Sequence, residues 1–434
     1  MLQEAISIVK RLQDNGYEAV FAGGYVRDML MKIPCNDIDI ATSATPDQIE
    51  SLFDKTLAIG KSFGVIVVII NNFKFEVATF RSDVGSDGRR PDSVIFTSMK
   101  EDALRRDLTI NGLFYDPISN IIIDYVGGQQ DINNQIIRFI GNADDRIKED
   151  KLRMLRAIRF TCKYDFNISV DTFSAIMENA TQVNSVSAER IQEELVKILK
   201  INSPSNALSL LNTSYLLQEI LPEVNILMEY PQDPKWHPEG DVYKHTKLVI
   251  DELKNESTEL LLAGLFHDIG KAKTTIIESD GRIRTPGHAK VGAEMTRDIM
   301  RRLKFSNDIT KYVSELVYSH MSIKHFDDMR KANKKKFIYR EDFQDLRKLT
   351  IADILGSHKN LDIITSLDME VKNILSEPIK PTPFINGRDL IDLGYTQGKL
   401  IGTIKEEMYN LQLENKITSK QEAIEYIKKC YVQT

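Results

Sequence analysis

AGGYVRDML (Ala22–Leu30), followed closely by NDIDIAT (Asn36–Thr42), decides how this chain is read. Gly23 and Gly24 stand just before a helix. Glycine lets backbone approach a phosphate closely, and a helix N-terminus offers unpaired N–H groups to an anion. Arg27 adds charge one turn on. In NDIDIAT, Asp37 and Asp39 are at or entering a strand. Residues i and i+2 of a strand point to one face, about 6–7 Å apart. That spacing lets two carboxylates share divalent ions, as two-metal phosphoryl chemistry requires. A third acid, Glu76 of FKFEVATFR (Phe73–Arg81), projects to the opposite face of its strand from Phe75 and Val77 and could complete the set. Taken singly, each feature also fits a solvated turn, an ordinary glycine turn or an exposed strand carboxylate.

Outward from this stretch, residues 1–140 mix helix and strand. Strands are expected at Ile38–Ile40, Val65–Ile70, Lys74–Phe80, Val94–Phe96 and Ile121–Tyr125, from short or alternating apolar runs bounded by Gly, Asn, Asp and Pro. From about 141 onward, 3.6-residue periodicity dominates and the only strand candidate is Thr275–Glu278. The 434 residues carry 57 basic and 63 acidic side chains, a net of −6. A wholly basic nucleic-acid coat is excluded, so any polyanion site is a local patch, such as Lys334–Lys336 or the arginines near 153. Cys35, Cys162 and Cys430 are far apart and odd in number, which excludes a disulfide scaffold and a Cys-based zinc ribbon and fits a reducing compartment. MLQEAISIVKRLQDNG (residues 1–16) reads as an amphipathic helix with Leu2, Ile6, Val9 and Leu12 on one stripe, not as a signal peptide. The longest apolar runs are too short to cross a bilayer. A cytoplasmic chain without a membrane partner is expected.

GGYVRD, DIDIAT and RRDLTIN (Arg105–Asn111), in this order and spacing, resemble the class II tRNA nucleotidyltransferase and bacterial poly(A) polymerase family of the polymerase-β-like superfamily. The likeness continues through DYVGG (Asp124–Gly128), KEDKLRMLRAIRF (Lys148–Phe160) and AERIQEEL (Ala188–Leu195). It implies an α+β fold: a small polymerase-β-like nucleotidyltransferase head followed by an all-helical body. By this resemblance Asp37, Asp39 and Glu76 are catalytic and hold Mg²⁺. Gly24, Arg27, Arg106, Asp107, Asn111, Asp150, Arg153, Arg156 and Arg190 bind the incoming nucleotide. The family assigns Asp150 and Arg153, read as sharing a helix face, the role of a protein template, and Arg190 and Glu194 of AERIQEEL resemble the elements that brace this site. Chemistry supports that role. Cytosine and adenine each present an amino donor beside a ring-nitrogen acceptor, which suit a carboxylate and a guanidinium. Uracil and guanine present a carbonyl beside an N–H instead. The loop SDVGSDG (Ser82–Gly88), expected to be mobile, helps such enzymes shift from CTP to ATP.

Five of the seven histidines fall between 245 and 325. His267 and Asp268 are adjacent after an apolar helix, and a buried His–Asp pair is costly unless paired or metal-bound. His245, His267–Asp268, His288, His320 and Asp353 resemble the HD superfamily of metal-dependent phosphohydrolases. Such ligands suit Mn, Ni, Fe or Zn better than Mg. By resemblance Asp268 bridges two metals and Lys271 faces the phosphate. His237, His325 and His358 read as ordinary core or surface residues. Four segments follow: a head (1–140), a helical neck and body with base- and RNA-binding elements (141–235), an HD domain (236–365) and a helical tRNA-binding tail (366–434). The expected activity is template-independent CCA addition to tRNA from CTP and ATP. Poly(A) polymerase, A-adding or CC-adding enzymes, and an HD phosphohydrolase with an RNA-binding head are the alternatives.

Overall fold

The apolar runs of the head assemble into one sheet. A computed structural model describes residues 1–35, 37–84, 93–376 and 381–431. Its strands are β1 (Ala19–Ala22), β2 (Asp39–Thr42), β3 (Thr56–Gly60), β4 (Val65–Ile70), β5 (Phe73–Thr79), β6 (Arg81–Val84), β7 (Ser93–Phe96), β8 (Leu113–Asp116) and β9 (Ile121–Asp124). Seven of them form a sheet in the order β3-β4-β5-β2-β1-β8-β9, while β6 and β7 pair as a separate ribbon. β2 and β5 run parallel, with Ile40 opposite Val77. The neighbouring pairs are antiparallel. Asn71 and Asn72, both at positive φ, make the tight β4–β5 turn that a two-residue hairpin demands. Along β5, Phe75 and Val77 are buried and Glu76 is exposed, as the alternation predicts.

Helix Leu2–Asp14 packs against β1, but its buried stripe is Ala5, Ile8, Val9 and Leu12. Leu2 is exposed. The 5–8–9–12 spacing spans a narrower arc of the helix than the expected 2–6–9–12, so it makes the better core face. Beyond the head, helices Leu152–Tyr164, Val170–Asn179 and Ala188–Leu199 follow the expected periodicity, and helices Ala143–Glu149 and Pro204–Thr213 add to them. One short parallel ladder, Ile136–Ile137 with Asn167–Ile168, reaches into the region read as purely helical. Ile276–Ile277 pairs with Ile283–Arg284 at the anticipated strand.

The chain divides into two compact units. The first contains Met1–Ile226 and Ile299–Asn307; the second contains Leu227–Asp298 and Asp308–Thr434. In the second, Leu260–Phe266 of helix Thr258–Phe266 is wholly buried against helices Val242–Glu252 and Phe343–Leu355. Helices Gly387–Asp392, Lys399–Leu413 and Lys420–Cys430 enclose their own core around Leu390, Ile404, Met408 and Ile427. Among the described residues, no helix is long and apolar enough to cross a membrane. The architecture is therefore a mixed α+β head followed by a largely helical body. Residues 85–88 of the loop expected to be mobile lie outside the described residues.

Candidate functional site

Gly23 adopts φ +62, and a Cβ there would lie 2.9 Å from Arg106 Nη1. The turn before helix Gly24–Leu30 is thus glycine for its conformation, with the Arg106 guanidinium packed close against it. It opens a cavity of about 460 Å³ whose lining includes Gly24, Arg27, Asp39, Arg106, Asp107, Asn111, Asp150, Arg153 and Arg156. Nine of the twelve catalytic and nucleotide-binding positions named from the head and neck motifs line this one space. The other three are Asp37, Glu76 and Arg190. Asp37 and Glu76 are close enough to Asp39 to act on it electrically. Burial, then the charges of Asp37 and Glu76, push the Asp39 carboxyl up to about 6. The β2–β5 register, extended by one residue, sets Asp39 opposite Glu76. Asp37 precedes the strand and is exposed. The three acids are not gathered within 4.8 Å of one another, as mutual repulsion dictates.

RRDLTIN wires this cavity together. Asp107 Oδ1 accepts from Asn111 Nδ2 (3.0 Å) and from the Leu108 N–H (2.8 Å). Its Oδ2 pairs with Arg156 at 2.6 Å. Asn111 Oδ1 accepts from Arg27 at 2.5 Å, and Arg27 lies over the rings of Phe160 and Tyr164. Burial works to raise the Asp107 carboxyl, but Arg156 and these hydrogen bonds outweigh it and hold it at about 2. Arg156→Met should therefore destabilise the protein by about 1–3 kcal/mol at pH 7, because it removes the charge that offsets burial of the Asp107 carboxylate. Chemical denaturation measures this. Asp107 has a depressed folded pKa, so the deficit is full above about pH 4 and shrinks as pH falls toward 2.

Asp150 and Arg153 line the same cavity, but not from one helix as expected. Asp150 is extended (φ −152, ψ 106) and ends helix Ala143–Glu149. Its Oδ1 accepts the Leu152 N–H at 3.1 Å, at the start of the next helix. Aspartate favours such a junction because its side chain satisfies a free helix N–H. Arg190 braces Asp150 at 2.7 Å, as anticipated. Glu194, expected to brace the same site, instead pairs with Arg159 and Lys197. Arg153 is held by Glu149 Oε2 (2.6 Å) and by the carbonyls of Arg146 and Arg105. Glu149 was not singled out in the sequence.

The second unit gathers all six predicted His–Asp residues in its interior, each less than a tenth exposed. His245 Nε2 and His267 Nε2 are 3.2 Å apart, and so are His288 Nε2 and His320 Nε2. Asp268 lies between the two pairs. Its Oδ2 is 3.2 Å from His267 and 3.7 Å from His245. Its Oδ1 is 3.5 Å from His288 and 3.8 Å from His320. Asp353 meets His245 at 3.1 Å. Gly270 permits the approach of the histidine helix, since a Cβ there would be 2.1 Å from the His288 carbonyl.

These residues fit metal ions. Nδ1 of His267, His288 and His320 each faces a backbone carbonyl, of Gly264, Thr285 and Val317 respectively. A carbonyl only accepts, so those Nδ1 atoms carry the proton and Nε2 presents a lone pair. Between His288 and His320, lone pairs 3.2 Å apart repel unless a cation lies between them. Two sets, His245–His267–Asp268 and Asp268–His288–His320, each hold three ligand atoms within 4.8 Å. Burial, with the neighbouring His267 imidazole acting in the same direction, pushes His320 down to about 3. Burial opposes ionisation of Asp268, but Lys271 and His267 hold its carboxyl well below the usual range.

His237, read as an ordinary residue, is half-buried beside the cluster, with its ring 5.0 Å from that of His245. Glu239 Oε1 lies 2.9 Å from Nδ1 of both His237 and His245. Gln232 and Lys324, also not anticipated, contact Lys271 and Asp353. The spacing H-x-E eight residues before His245 was the available signal for Glu239. Gln232 and Lys324 carried none.

Residues 19–138 match the poly A polymerase head domain, 165–227 the probable RNA and SrmB-binding site of polymerase A, and 240–358 the HD domain. A CCA-adding enzyme of Ligilactobacillus salivarius is 33% identical over 98% of this chain and 96% of its own length. The crystal structure of the Bacillus stearothermophilus CCA-adding enzyme in complex with CTP superposes with a TM-score of 0.76, at 26% identity over 99% and 98% of the two chains. The Thermotoga maritima CCA-adding enzyme complexed with tRNA shares the fold, with a TM-score of 0.61 at 19% identity over 99% of this chain and 95% of that one. A glycine turn, carboxylates and an Asp–Arg pair around one cavity, with identity to such an enzyme nearly end to end, place this chain in the class II CCA-adding enzyme and poly(A) polymerase family, with an HD domain.

Proposed function

We infer that this chain is a CCA tRNA nucleotidyltransferase, adding CCA to tRNA 3′ ends from CTP and ATP in the cytoplasm. The observation that carries this reading is the shared cavity, in which Asp39 and Asp150–Arg153 face one space. The RNA 3′-hydroxyl attacks the α-phosphate and pyrophosphate leaves. Asp37 and Asp39, with Glu76, form the ligand set for two Mg²⁺, which supply activation of the hydroxyl and neutralisation of the triphosphate. Gly24 offers backbone close to the phosphates. Arg27, Arg106, Asp107, Asn111 and Arg156 form the connected wall that positions ribose and phosphates. Asp150 accepts the amino group of cytosine or adenine and Arg153 donates to the ring nitrogen, while Arg190 fixes Asp150. The segments 1–140, 141–235, 236–365 and 366–434 serve as head, neck and body, HD domain and tRNA-binding tail. The body holds tRNA through shape and phosphate contacts.

The test is a tRNA transcript ending at the discriminator base, incubated with Mg²⁺ and CTP, ATP or both, with the 3′ ends sequenced. Addition of CCA followed by a stop is expected. A long A tail on arbitrary RNA would indicate a poly(A) polymerase, and addition of A only to an end already carrying CC would indicate a split system. Arg153→Met should lower CTP and ATP incorporation and erode rejection of UTP and GTP by about 1–3 kcal/mol, measured as ratios of kcat/KM.

The paired Nε2 atoms favour a second activity. The HD cluster is read as a phosphatase or phosphodiesterase centre for phosphomonoesters or 2′,3′-cyclic phosphates at RNA ends. Its ligands suit Mn, Ni, Fe or Zn.

A further inference from the structure

Beside the His–Asp cluster lies a cavity of about 620 Å³. Lys271 and Lys324 line it, as do Gln232 and Trp236. The ligand set of the cluster does not use Gln232 or Lys324. Gln232 is only 6% exposed. Its Oε1 accepts from Lys271 Nζ at 2.6 Å. An ammonium only donates, so the amide is oriented with oxygen toward Lys271 and nitrogen away from it. Gln232 Nε2 is buried and has no hydrogen-bond partner. A buried N–H left unpaired is unfavourable and calls for an acceptor. Lys324 Nζ stands 3.1 Å from Asp353 Oδ2 on the same cavity. Lys271 Nζ stands 2.6 Å from Asp268 Oδ2. Each lysine is therefore anchored by a carboxylate of the cluster, with its ammonium beside the open space.

We propose that Gln232 and Lys324 join Lys271 in binding the phosphoryl group of the molecule processed at the His–Asp centre. Gln232 donates Nε2–H to one oxygen, and Lys324 supplies the second positive charge. Lys271 alone would leave a dianionic phosphate half-compensated; two ammoniums and an amide match its charge and its acceptors. This rests on the hydrolase reading of the cluster.

The test uses the full chain loaded with Mn²⁺ or Ni²⁺ and p-nitrophenyl phosphate as substrate, with inorganic phosphate as competitor. Bound metal is measured by elemental analysis. Gln232→Leu and Lys324→Met should each raise KM and the phosphate inhibition constant about tenfold or more, with metal content and CCA addition unchanged. Lys324→Arg should restore most of the affinity. Gln232→Glu keeps an acceptor for Lys271 but loses the donor, so it should behave like Gln232→Leu or worse. Quenching of Trp236, the only tryptophan, by adenosine 3′-monophosphate gives a binding readout independent of turnover, and it should weaken in the same variants. A wild-type KM in Gln232→Glu would mean that Gln232 only orients Lys271 and would overturn its assignment. Loss of bound metal in Lys324→Met would overturn the assignment of Lys324, since its role would then be to support Asp353. If the wild-type protein hydrolyses no phosphate ester with Mn, Ni, Fe or Zn, the hydrolase reading itself fails and this inference falls with it.

Discussion

Asp39→Asn is expected to abolish nucleotide addition and, in metal-free buffer at pH 8, to raise the melting temperature. The loss follows from removing a carboxylate that the two-metal reading requires, and a fall of about 10²–10³-fold or more is expected. The gain in stability follows from the carboxyl's surroundings. Burial and the negative charges of Asp37 and Glu76 lift it to about 6, against about 3.9 in an unfolded chain. A folded pKa that is raised means ionisation costs the native state. Wild-type stability therefore drops as pH rises from about 4 to 6, and the deficit persists above that window. Its upper limit is about 3 kcal/mol, and Asn removes it. The melting difference between variant and wild type should vanish near pH 4. Nucleotide addition at limiting Mg²⁺ should fall below pH 6 and recover when Mg²⁺ is increased. A variant that melts lower than wild type at pH 8 would contradict this account.

His267→Ala should do the reverse. It removes one Nε2 of the His245–His267 pair and one contact to Asp268. Bound transition metal and phosphate-ester hydrolysis should fall about a hundredfold, while CCA addition stays at the wild-type rate. In Asp39→Asn the hydrolysis should persist and the addition vanish. The two variants together test whether the chain carries two independent centres. Loss of addition in His267→Ala, in protein that still melts cooperatively near the wild-type temperature, would defeat the two-centre reading.

Much of this was legible before any coordinate. The strongly patterned strands β4, β5 and β9 and the amphipathic helices of the body announce themselves by periodicity. β1 did not, because its four residues are all buried and do not alternate. β3 is a largely exposed sheet-edge strand with weak patterning. For the site, short motifs carried most of the information, since glycine, aspartate and arginine at fixed offsets have few other reasons to coincide. Asp150 and Arg153, three residues apart, read as one helical face, but the Asp150 side chain accepts the N–H two residues on, the turn by which one helix ends and the next begins. Gln232 and Lys324 were illegible for another reason. Gln232 meets Lys271 across 39 positions and Lys324 meets Asp353 from the short 3₁₀ turn Ser322–His325, and no local pattern foretells such partners.

The first unit is not one continuous run of chain. Ile299–Asn307 belongs to it, although the preceding 72 residues, Leu227–Asp298, belong to the other. Within that unit Arg302 donates to the Ile220 carbonyl at 2.9 Å and pairs with Glu223 at 2.7 Å, and Met300, Leu303 and Phe305 are buried. A gene shortened after codon 226 would therefore encode an incomplete catalytic half. Recombination could not exchange the HD half as a cassette without also supplying a substitute for those nine residues. This interleaving makes the two centres hard to separate by inheritance, whatever their independence as chemistry.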